Sequence, residues 1–354
     1  MGYNLAGHET LEFKKDYGET AKRYEAFWNG EIWDRPIVCV TVPDPDCADV
    51  PWHTNSYYTR MNGDLDEITG QIIANTRKTI YMGEALPQAF LSFGCDELAA
   101  FCGGEMLYFH DGEHNTNWSR PFIEEWEAEL PLSVREDNPL WRRMQAFLDK
   151  CAEAMQGKML FYPLDLHSNL DMLLAMRGGE ALCLDLMDRP ETIDTALEQA
   201  MGLFEYFYER TFKKYGLPAA NGITLQCDFS CMVGTPMFRR FALPYLEREA
   251  ACNNGRVSYH WDGVTALTHT DDLIASKGLY VMAFVPGAGN GDHVDYLELY
   301  AKVQKGRKAV SVGGSPDAVK YMHRHLKPDK TIYSTYAGSV KEAEELLRWF
   351  KNNT

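Results

Sequence analysis

Short apolar runs recur along the chain, and most of the intervals between them carry helical patterns. The first run, Ile37–Val42, is β-branched and bounded by prolines, which is typical of a buried strand. Similar runs predict eight strands, near residues 37, 90, 160, 223, 257, 280, 309 and 331. Alternating strands and helices predict a parallel α/β sheet with right-handed crossovers. Eight such units favour a closed (β/α)8 TIM barrel, although a doubly wound open sheet has a similar alternation.

Helix signals fill the intervals between these strands. Residues 1–35 are rich in charged and aromatic side chains and predict helical decoration. Residues 64–81 have a helical pattern, and residues 138–157 open with Asn-Pro and keep apolar helical spacing. Two short helices are predicted over 168–187, with a break at Gly178-Gly179, and a long helix runs from Pro190 to near Gly216. Another helix begins at Thr235 and is expected to kink at Pro244. The last helix follows the capping box of Ser339 and Glu342. The sequence predicts no defined element over 95–135. We interpret the chain as a single barrel domain, 1–354, with 1–35 as an amino-terminal extension.

Composition narrows the class of protein. A chain of 354 residues that is 45% hydrophobic and 12% aromatic can bury a large core. Its net charge of −16 argues against a nucleic-acid partner, which would require clustered Lys and Arg. No apolar run approaches the roughly 20 residues that span a bilayer, and the start of the chain lacks the apolar stretch of a signal peptide, so we expect a cytoplasmic protein without a membrane partner. Nine cysteines without a CxxC pair fit reduced thiols.

The main chemical signal is the set of polar residues at the ends of predicted strands. The stretch Val257–Gly263 contains His260 and Asp262, which share a face if the strand persists, since residues i and i+2 do. An acid and a histidine have the same spacing after the strand near residue 160. The carboxyl ends of all barrel strands meet at one rim, where catalytic groups gather. The residues expected there are Asp165, His167, Cys227, Asp228, His260, Asp262 and Tyr336.

Each of these residues has a candidate role. The candidate catalytic residues are His260, Asp262 and Asp228, with His260 as a general acid or metal ligand and the two acids orienting it or a cationic substrate. His260 and Asp262 are also the candidate ligands of a divalent metal such as zinc. The candidate substrate-binding residues are Asp165, His167, Arg177 and Tyr336.

Other interpretations of the same residues stay open. His260 and Asp262 can form an orienting hydrogen-bonded pair at the rim. Asp165 and His167 can cap the helix that follows them. Arg177 can pin the adjacent break between two helices instead of binding a carboxylate.

Two further motifs have structural alternatives. Cys227-x3-Cys231 can be a metal or thiolate pair, although buried inert cysteines are commoner. The glycine-rich stretch 287–291 lacks the spacing of a dinucleotide-binding loop, so it is interpreted as a tight turn.

Five segments carry a resemblance to a known family. They are residues 174–180 (LAMRGGE), 185–191 (DLMDRPE), 238–246 (FRRFALPYL), 260–263 (HWDG) and 342–347 (EAEELL). In these segments the chain resembles the uroporphyrinogen decarboxylase superfamily of (β/α)8 barrels, which includes the decarboxylase and the methylcobamide:thiol methyltransferases. The resemblance covers roughly residues 155–350.

Departures from the family pattern limit what the resemblance implies. Members that methylate thiols hold zinc with a His-x-Cys pair and a second cysteine near the last strand. This chain has Asp262 at the first of those cysteine positions and no cysteine over 331–338, which argues against thiol methylation. Decarboxylase members carry an arginine-rich loop after the first strand. Residues 43–58 here contain three aspartates and no Arg or Lys, so they would repel a polyanionic tetrapyrrole.

The remaining implication is one-carbon chemistry. The resemblance implies a methyltransferase-like barrel enzyme that moves a methyl group between a small methylated substrate and a corrinoid carried by a partner protein. The acidic balance suits a cationic methyl donor, because carboxylates and aromatic faces stabilise quaternary ammonium groups. The alternatives are a metal-free decarboxylase or lyase acting on a small carboxylate, and a non-catalytic small-molecule-binding barrel.

Overall fold

The computed structural model describes residues 8–110, 115–217 and 222–354. Its strands are β1 (Ile37–Pro43), β2 (Thr79–Gly83), β3 (Gln88–Phe90), β4 (Glu105–His110), β5 (Asn115–Arg120), β6 (Leu160–Tyr162), β7 (Ile223–Gln226), β8 (Val257–Asp262), β9 (Val281–Val285), β10 (Ala309–Gly313) and β11 (Thr331–Tyr336). Its α-helices are α1 (Tyr17–Trp28), α2 (Tyr57–Asn62), α3 (Leu65–Arg77), α4 (Glu97–Phe101), α5 (Trp126–Glu129), α6 (Pro139–Met155), α7 (Asn169–Arg177), α8 (Gly179–Asp188), α9 (Pro190–Tyr208), α10 (Thr235–Met237), α11 (Leu243–Cys252), α12 (Thr270–Ala275), α13 (Leu297–Lys305), α14 (Pro316–His323) and α15 (Val340–Asn352).

The strands form one large sheet and two small pairs. In the large sheet the order is β2-β1-β11-β10-β9-β8-β7, and every neighbouring pair is parallel except β1 and β2. β3 pairs in parallel with β6, and β4 pairs antiparallel with β5. The hydroxyl of Tyr162 in β6 accepts a hydrogen bond from the backbone N–H of Thr224 in β7 at 2.6 Å. The predicted mostly parallel α/β sheet is confirmed over the described ranges, whereas its closure into an eight-stranded barrel stays a prediction.

All eight predicted strands are present, but the amino-terminal half holds more strands than predicted. The predicted helix over 64–81 is wrong at its end, since α3 stops at Arg77 and β2 begins at Thr79. The β-branched and aromatic side chains of Ile80 and Tyr81 favour pairing with β1 at the edge of the sheet. The hairpin of β4 and β5 lies in the segment for which the sequence predicts no element.

The predicted breaks between helices are confirmed. α7 and α8 meet at Gly178, whose φ of 88° is a backbone conformation that favours glycine. The helix that begins at Thr235 widens into a π turn, Phe238–Ala242, directly before α11, because Pro244 has no N–H for the regular ladder. No helix in the described ranges is both long and apolar enough to cross a membrane.

Helix α1 packs at the amino-terminal ends of several strands. Tyr24 and Phe27 form a buried group with Ile37, Val281 and Ala309, which are the first residues of β1, β9 and β10. The amino-terminal extension therefore covers this end of the sheet. The opposite, carboxyl end of the strands carries the polar side chains.

The parallel register places three of these polar residues on one face. Gln226 in β7 lies opposite His260 in β8, and His260 lies opposite Ala283 in β9. Because side chains alternate along a strand, Gln226, His260 and Asp262 point to the same side of the sheet.

Candidate functional site

The segment between β6 and α7 carries the first part of the candidate site. Pro163 follows the strand and has no N–H with which to continue the ladder. The chain then passes through Asp165 and His167 to Asn169, the first residue of α7. Asn169 has a left-handed φ of 49°, which asparagine tolerates better than most residues. Neither Asp165 nor His167 caps α7, since Ser168 is the N-cap residue and no side chain makes a cap hydrogen bond there.

His167 lies between two carboxyl groups. Its Nε2 is 3.5 Å from Oδ1 of Asp165, and its Nδ1 is 3.5 Å from Oδ2 of Asp171. Burial opposes a charged imidazole, but the hydrogen bond to Asp171 and the charges of Asp165, Asp171 and Asp228 outweigh it and raise the pKa of His167 to about 9. His167 is therefore a cation at neutral pH.

Asp171 also holds the loop after β7. Its Oδ2 accepts a hydrogen bond from the backbone N–H of Asp228 at 2.9 Å, and its Oδ1 accepts one from Phe229 at 2.8 Å. These two N–H groups begin the 3₁₀ turn Asp228–Met232. Sequence reasoning missed Asp171, although its four-residue separation from His167 across a helix start was a usable signal.

Asp228 lies at the carboxyl end of β7, where the sequence places it. Burial, followed by the charge of Asp171, raises the pKa of Asp228 to about 7; Asp262 and Asp165 add to this and His167 opposes it. Its Oδ1 is buried and has no hydrogen-bond partner among the described residues. Asp228 is therefore a carboxyl group that changes charge near neutral pH and keeps an acceptor free.

His260 and Asp262 lie at the end of β8 and are only partly covered. Nε2 of His260 is 4.0 Å from Oδ1 of Asp262, which is too long for a hydrogen bond. Burial lowers the pKa of His260, and the nearby charge of His167 lowers it further, although Asp262 opposes both. The two histidines therefore differ, since His167 is charged and His260 is neutral at pH 7.

Asp165 connects the two halves of the site. Its Oδ1 accepts a hydrogen bond from Nε2 of Gln226, the residue opposite His260. Burial raises the pKa of Asp165, and the charges of His167 and His260 oppose that rise. We define the acid–imidazole cluster as Asp165, His167, Asp171, Asp228, His260 and Asp262. It joins the carboxyl ends of β6, β7 and β8 and contains four carboxyl groups and two imidazoles.

A cavity of about 360 Å³ adjoins this cluster. Phe90 and Tyr162 line one part of it, with ring centroids 5.7 Å apart, and Thr224, Gln226 and Asp165 line another. The volume is that of a small-molecule site, and the wall combines aromatic faces with a carboxyl group.

Arg177 and Tyr336 are not joined to the cluster by any described contact. Arg177 forms two hydrogen bonds with Asp185, at 2.7 and 3.3 Å, and donates a third to the carbonyl of Ile123 at 3.0 Å. It therefore ties α7 to α8, in line with the structural interpretation of this residue. Tyr336 ends β11, three strands from β8 in the sheet order, and is 59% exposed. Their roles in substrate binding stay predictions.

The donor groups do not form a zinc-thiolate site. Cys227 is buried, which raises the pKa of its thiol well above the ordinary value, and burial also raises the pKa of Cys231. Neither residue is therefore a thiolate at neutral pH. Among the described residues, no three His, Cys, Asp or Glu side chains are placed to hold a metal ion together. His260 and Asp262 thus supply two donors without a third, and their role as metal ligands stays a prediction.

Two further buried acids contact the segment of His167. Glu97 in α4 and Glu249 in α11 are 0% and 1% exposed. Sequence reasoning missed both of them. Glu249 lies on the buried face of α11 with Leu246 and Ala250. A charged residue at such a core position is itself a signal, because carboxylates are almost never fully buried without a partner.

Comparison with known proteins gives a fold likeness alone. A solved structure described as a methyltransferase from Methanosarcina mazei matches with a TM-score of 0.59. The match covers 94% of this chain and 98% of that chain, at 13% sequence identity. No family model and no curated protein sequence matches this chain.

Proposed function

We propose that the chain is an enzyme that transfers a methyl group from a small, cationic, methylated substrate, such as a methylated amine, to a corrinoid carried by a partner protein. The observation that carries the proposal is the acid–imidazole cluster, in which carboxyl groups outnumber imidazoles four to two beside a cavity of small-molecule size. The proposal includes a (β/α)8 barrel, with the gap between β6 and β7 bridged through Tyr162. The likeness to a methyltransferase structure is compatible with this fold.

The charge balance favours a cation as substrate. His167 is positive at neutral pH, yet Asp165 and Asp171 flank it directly and Asp228 and Asp262 lie nearby. A methylated ammonium group would gain electrostatic stabilisation from the surplus carboxylates and from the aromatic faces of the cavity wall. An anionic substrate would meet repulsion there instead.

The transfer itself requires a leaving nitrogen. When the methyl carbon bonds to the attacking nucleophile, the C–N bond breaks and its electron pair stays on nitrogen. His167 holds a proton at neutral pH and would donate a hydrogen bond to that developing lone pair. Asp228, with a pKa of about 7, would exchange protons with the departing amine or with solvent. The scheme gives no role to a zinc ion at His260 and Asp262.

The test uses purified protein with cob(I)alamin as the methyl acceptor. We expect methyl transfer from tetramethylammonium or trimethylamine to be at least roughly tenfold faster than from anisole, a neutral methyl ether, because the carboxylates stabilise a cation. A tenfold difference in rate corresponds to about 1.4 kcal/mol. His167→Gln should abolish most of the transfer, whereas Lys341→Gln, an exposed change on α15, should not. The proposal is wrong if no methylated cation serves as a donor in the wild-type protein.

A second candidate function rests on a different observation. His167 and Asp228 titrate at about pH 9 and about pH 7, so the cluster holds an acid and a group that can act as a base near neutral pH. Such a pair suits a metal-free decarboxylase or lyase that acts on a small carboxylate. Release of CO2 from small carboxylic acids by the wild-type protein, lost in Asp228→Asn, would favour this candidate. Ligand binding without turnover would instead indicate a binding protein.

A further inference from the structure

Two buried glutamates bind the segment that carries His167, although the proposed reaction uses neither of them. Oε1 of Glu97 accepts a hydrogen bond from the backbone N–H of Asp165 at 2.7 Å. Its Oε2 accepts one from the backbone N–H of Phe93 at 2.7 Å. A single side chain of α4 thus connects the loop after β3 to the residue that flanks His167.

Glu249 binds the same segment at its other end. Oε1 of Glu249 accepts a hydrogen bond from the hydroxyl of Ser168 at 2.7 Å. The side-chain amide of Asn169 lies 3.4 and 3.3 Å from the two carboxyl oxygens and also donates to the carbonyl of Gln226 at 3.2 Å. Glu249 therefore holds the residues that directly follow His167 against α11, and Asn169 also binds β7.

The segment between these two contacts needs such support. Asn169 is in a left-handed conformation at φ 49°, which costs backbone energy for a residue with a Cβ atom. Its own Oδ1 accepts from the backbone N–H of Leu170 at 2.7 Å. Strained backbone persists only where surrounding contacts fix it, and here Glu249 and the carbonyl of Gln226 supply those contacts from outside the turn.

Stabilisation of the fold alone is a weak explanation for the burial of these two carboxyl groups. Burial raises the pKa of Glu97 and of Glu249 to about 8, which means that the fold disfavours their charged forms. Neither carboxyl group belongs to an ion pair in the described part of the chain. Burying an acid without a cationic partner contributes little net stability, whereas each of the two acids accepts at least one hydrogen bond from the segment that carries His167.

We propose that Glu97 and Glu249 are positioning residues that fix Asp165, Ser168 and Asn169, so that the imidazole of His167 stays between Asp165 and Asp171. The effect on methyl transfer rests on the proposed function, but the effect on the geometry of His167 does not. A loss of either acid would let the segment relax and would separate His167 from its carboxyl partners.

The experiment compares Glu97→Gln, Glu249→Gln and Glu249→Leu with the wild-type protein. The glutamine at position 97 turns one acceptor oxygen into an NH₂ group that faces a backbone N–H, and the leucine at position 249 removes both acceptors at similar size. The titration of His167 is followed by NMR of histidine-labelled protein, with His167→Gln to assign the signal. Hydrogen exchange of the Asp165 amide is measured on the same samples.

We expect Glu97→Gln and Glu249→Leu to lower the pKa of His167 by at least one unit, and Glu249→Gln to lower it by less. The Asp165 amide should exchange at least tenfold faster in Glu97→Gln. The matched control is Glu84→Gln, because Glu84 is an equally buried acid that binds Arg35 and the Val38 amide away from the cluster. This control should lose stability and leave the His167 signal unchanged.

The outcomes separate the two proposals. If the folded variants keep the His167 titration and the Asp165 exchange rate of the wild-type protein, or if Glu84→Gln changes them equally, the positioning role is wrong. These readouts need no methyl donor, so they stand even where the wild-type protein transfers no methyl group. Where it does, we expect the positioning variants to lower kcat more than they raise KM, and a purely structural role would instead track the folded fraction.

Discussion

Oδ2 of Asp171 accepts a hydrogen bond from the backbone N–H of Asp228 at 2.9 Å. The same oxygen lies 3.5 Å from Nδ1 of His167. One carboxylate thus joins the start of α7, the end of β7 and the charged imidazole. Asp171 is not at a strand end itself, but it contacts His167 after β6 and Asp228 after β7. The geometry of the cluster therefore depends on it.

Asp171→Asn tests this connection. The asparagine removes the negative charge beside His167 and places an NH₂ group against the backbone N–H of either Asp228 or Phe229. We expect the pKa of His167 to fall by about one unit or more, and the free energy of unfolding to fall by roughly 1.5 to 3 kcal/mol, as for other hydrogen bonds to charged groups. NMR titration and urea denaturation measure the two effects. Asp185→Asn is the control, since it removes a buried acid bound to Trp126 and should leave His167 unchanged.

The stability of the protein should fall with rising pH through the titration of His167. Its pKa is raised from 6.5 to about 9 in the folded state, so its stabilising contribution is complete below about pH 6.5 and is lost as the pH rises through 9. The shift corresponds to a contribution on the order of 3 kcal/mol. Urea denaturation at pH 6, 7.5 and 9 should show this loss in the wild-type protein and a much smaller one in His167→Gln. Equal pH slopes for the two proteins would contradict the charged state of His167.

Asn169 should be sensitive to its backbone conformation as well as to its contacts. Asn169→Gly loses the contacts with Glu249 but adopts the left-handed φ of 49° without strain. Asn169→Ala loses the same contacts and is strained at this φ. We expect the alanine variant to be less stable than the glycine variant by about 1 kcal/mol. Asn254, which is exposed and has a φ of 53°, provides the control pair, since it shares the strain without contacting the cluster. If the alanine and glycine variants at position 169 are equally stable, the backbone of this turn is not strained.

The sequence could predict the mostly parallel α/β sheet because apolar runs and helix signals alternate so regularly. All eight predicted strands are present, and the acids and histidines at the ends of β6, β7 and β8 lie close enough to shift one another's pKa. The short edge strand β2 and the hairpin of β4 and β5 were not predicted. Their stability depends on pairing with neighbouring strands, which local sequence patterns do not encode.

The missed part of the site consists of residues that act through tertiary contacts. Asp171, Glu97 and Glu249 lie inside helices, and their sequence neighbours do not show that they bind groups up to 81 positions away. The charge difference between His167 and His260 also depends on burial and on surrounding acids, so sequence could not assign it. Strand-end residues are predictable from periodicity, whereas the tertiary contacts of the residues that hold them are not.

Metal analysis tests the predicted role of His260 and Asp262 as ligands. Two donors whose nearest atoms are 4.0 Å apart, without a third side chain placed beside them in the described ranges, predict weak zinc binding. We expect wild-type protein dialysed against micromolar zinc to hold well under one zinc per chain by mass spectrometry, at a level that His260→Ala does not change. Asp262→Cys supplies the thiolate of a His-x-Cys pair and should bind zinc at least roughly tenfold more tightly, because zinc prefers soft thiolate ligands. Stoichiometric zinc in the wild-type protein that disappears in His260→Ala would establish the metal site. In the reaction scheme, His260 would then bind the metal and His167 would be the histidine that donates and accepts protons.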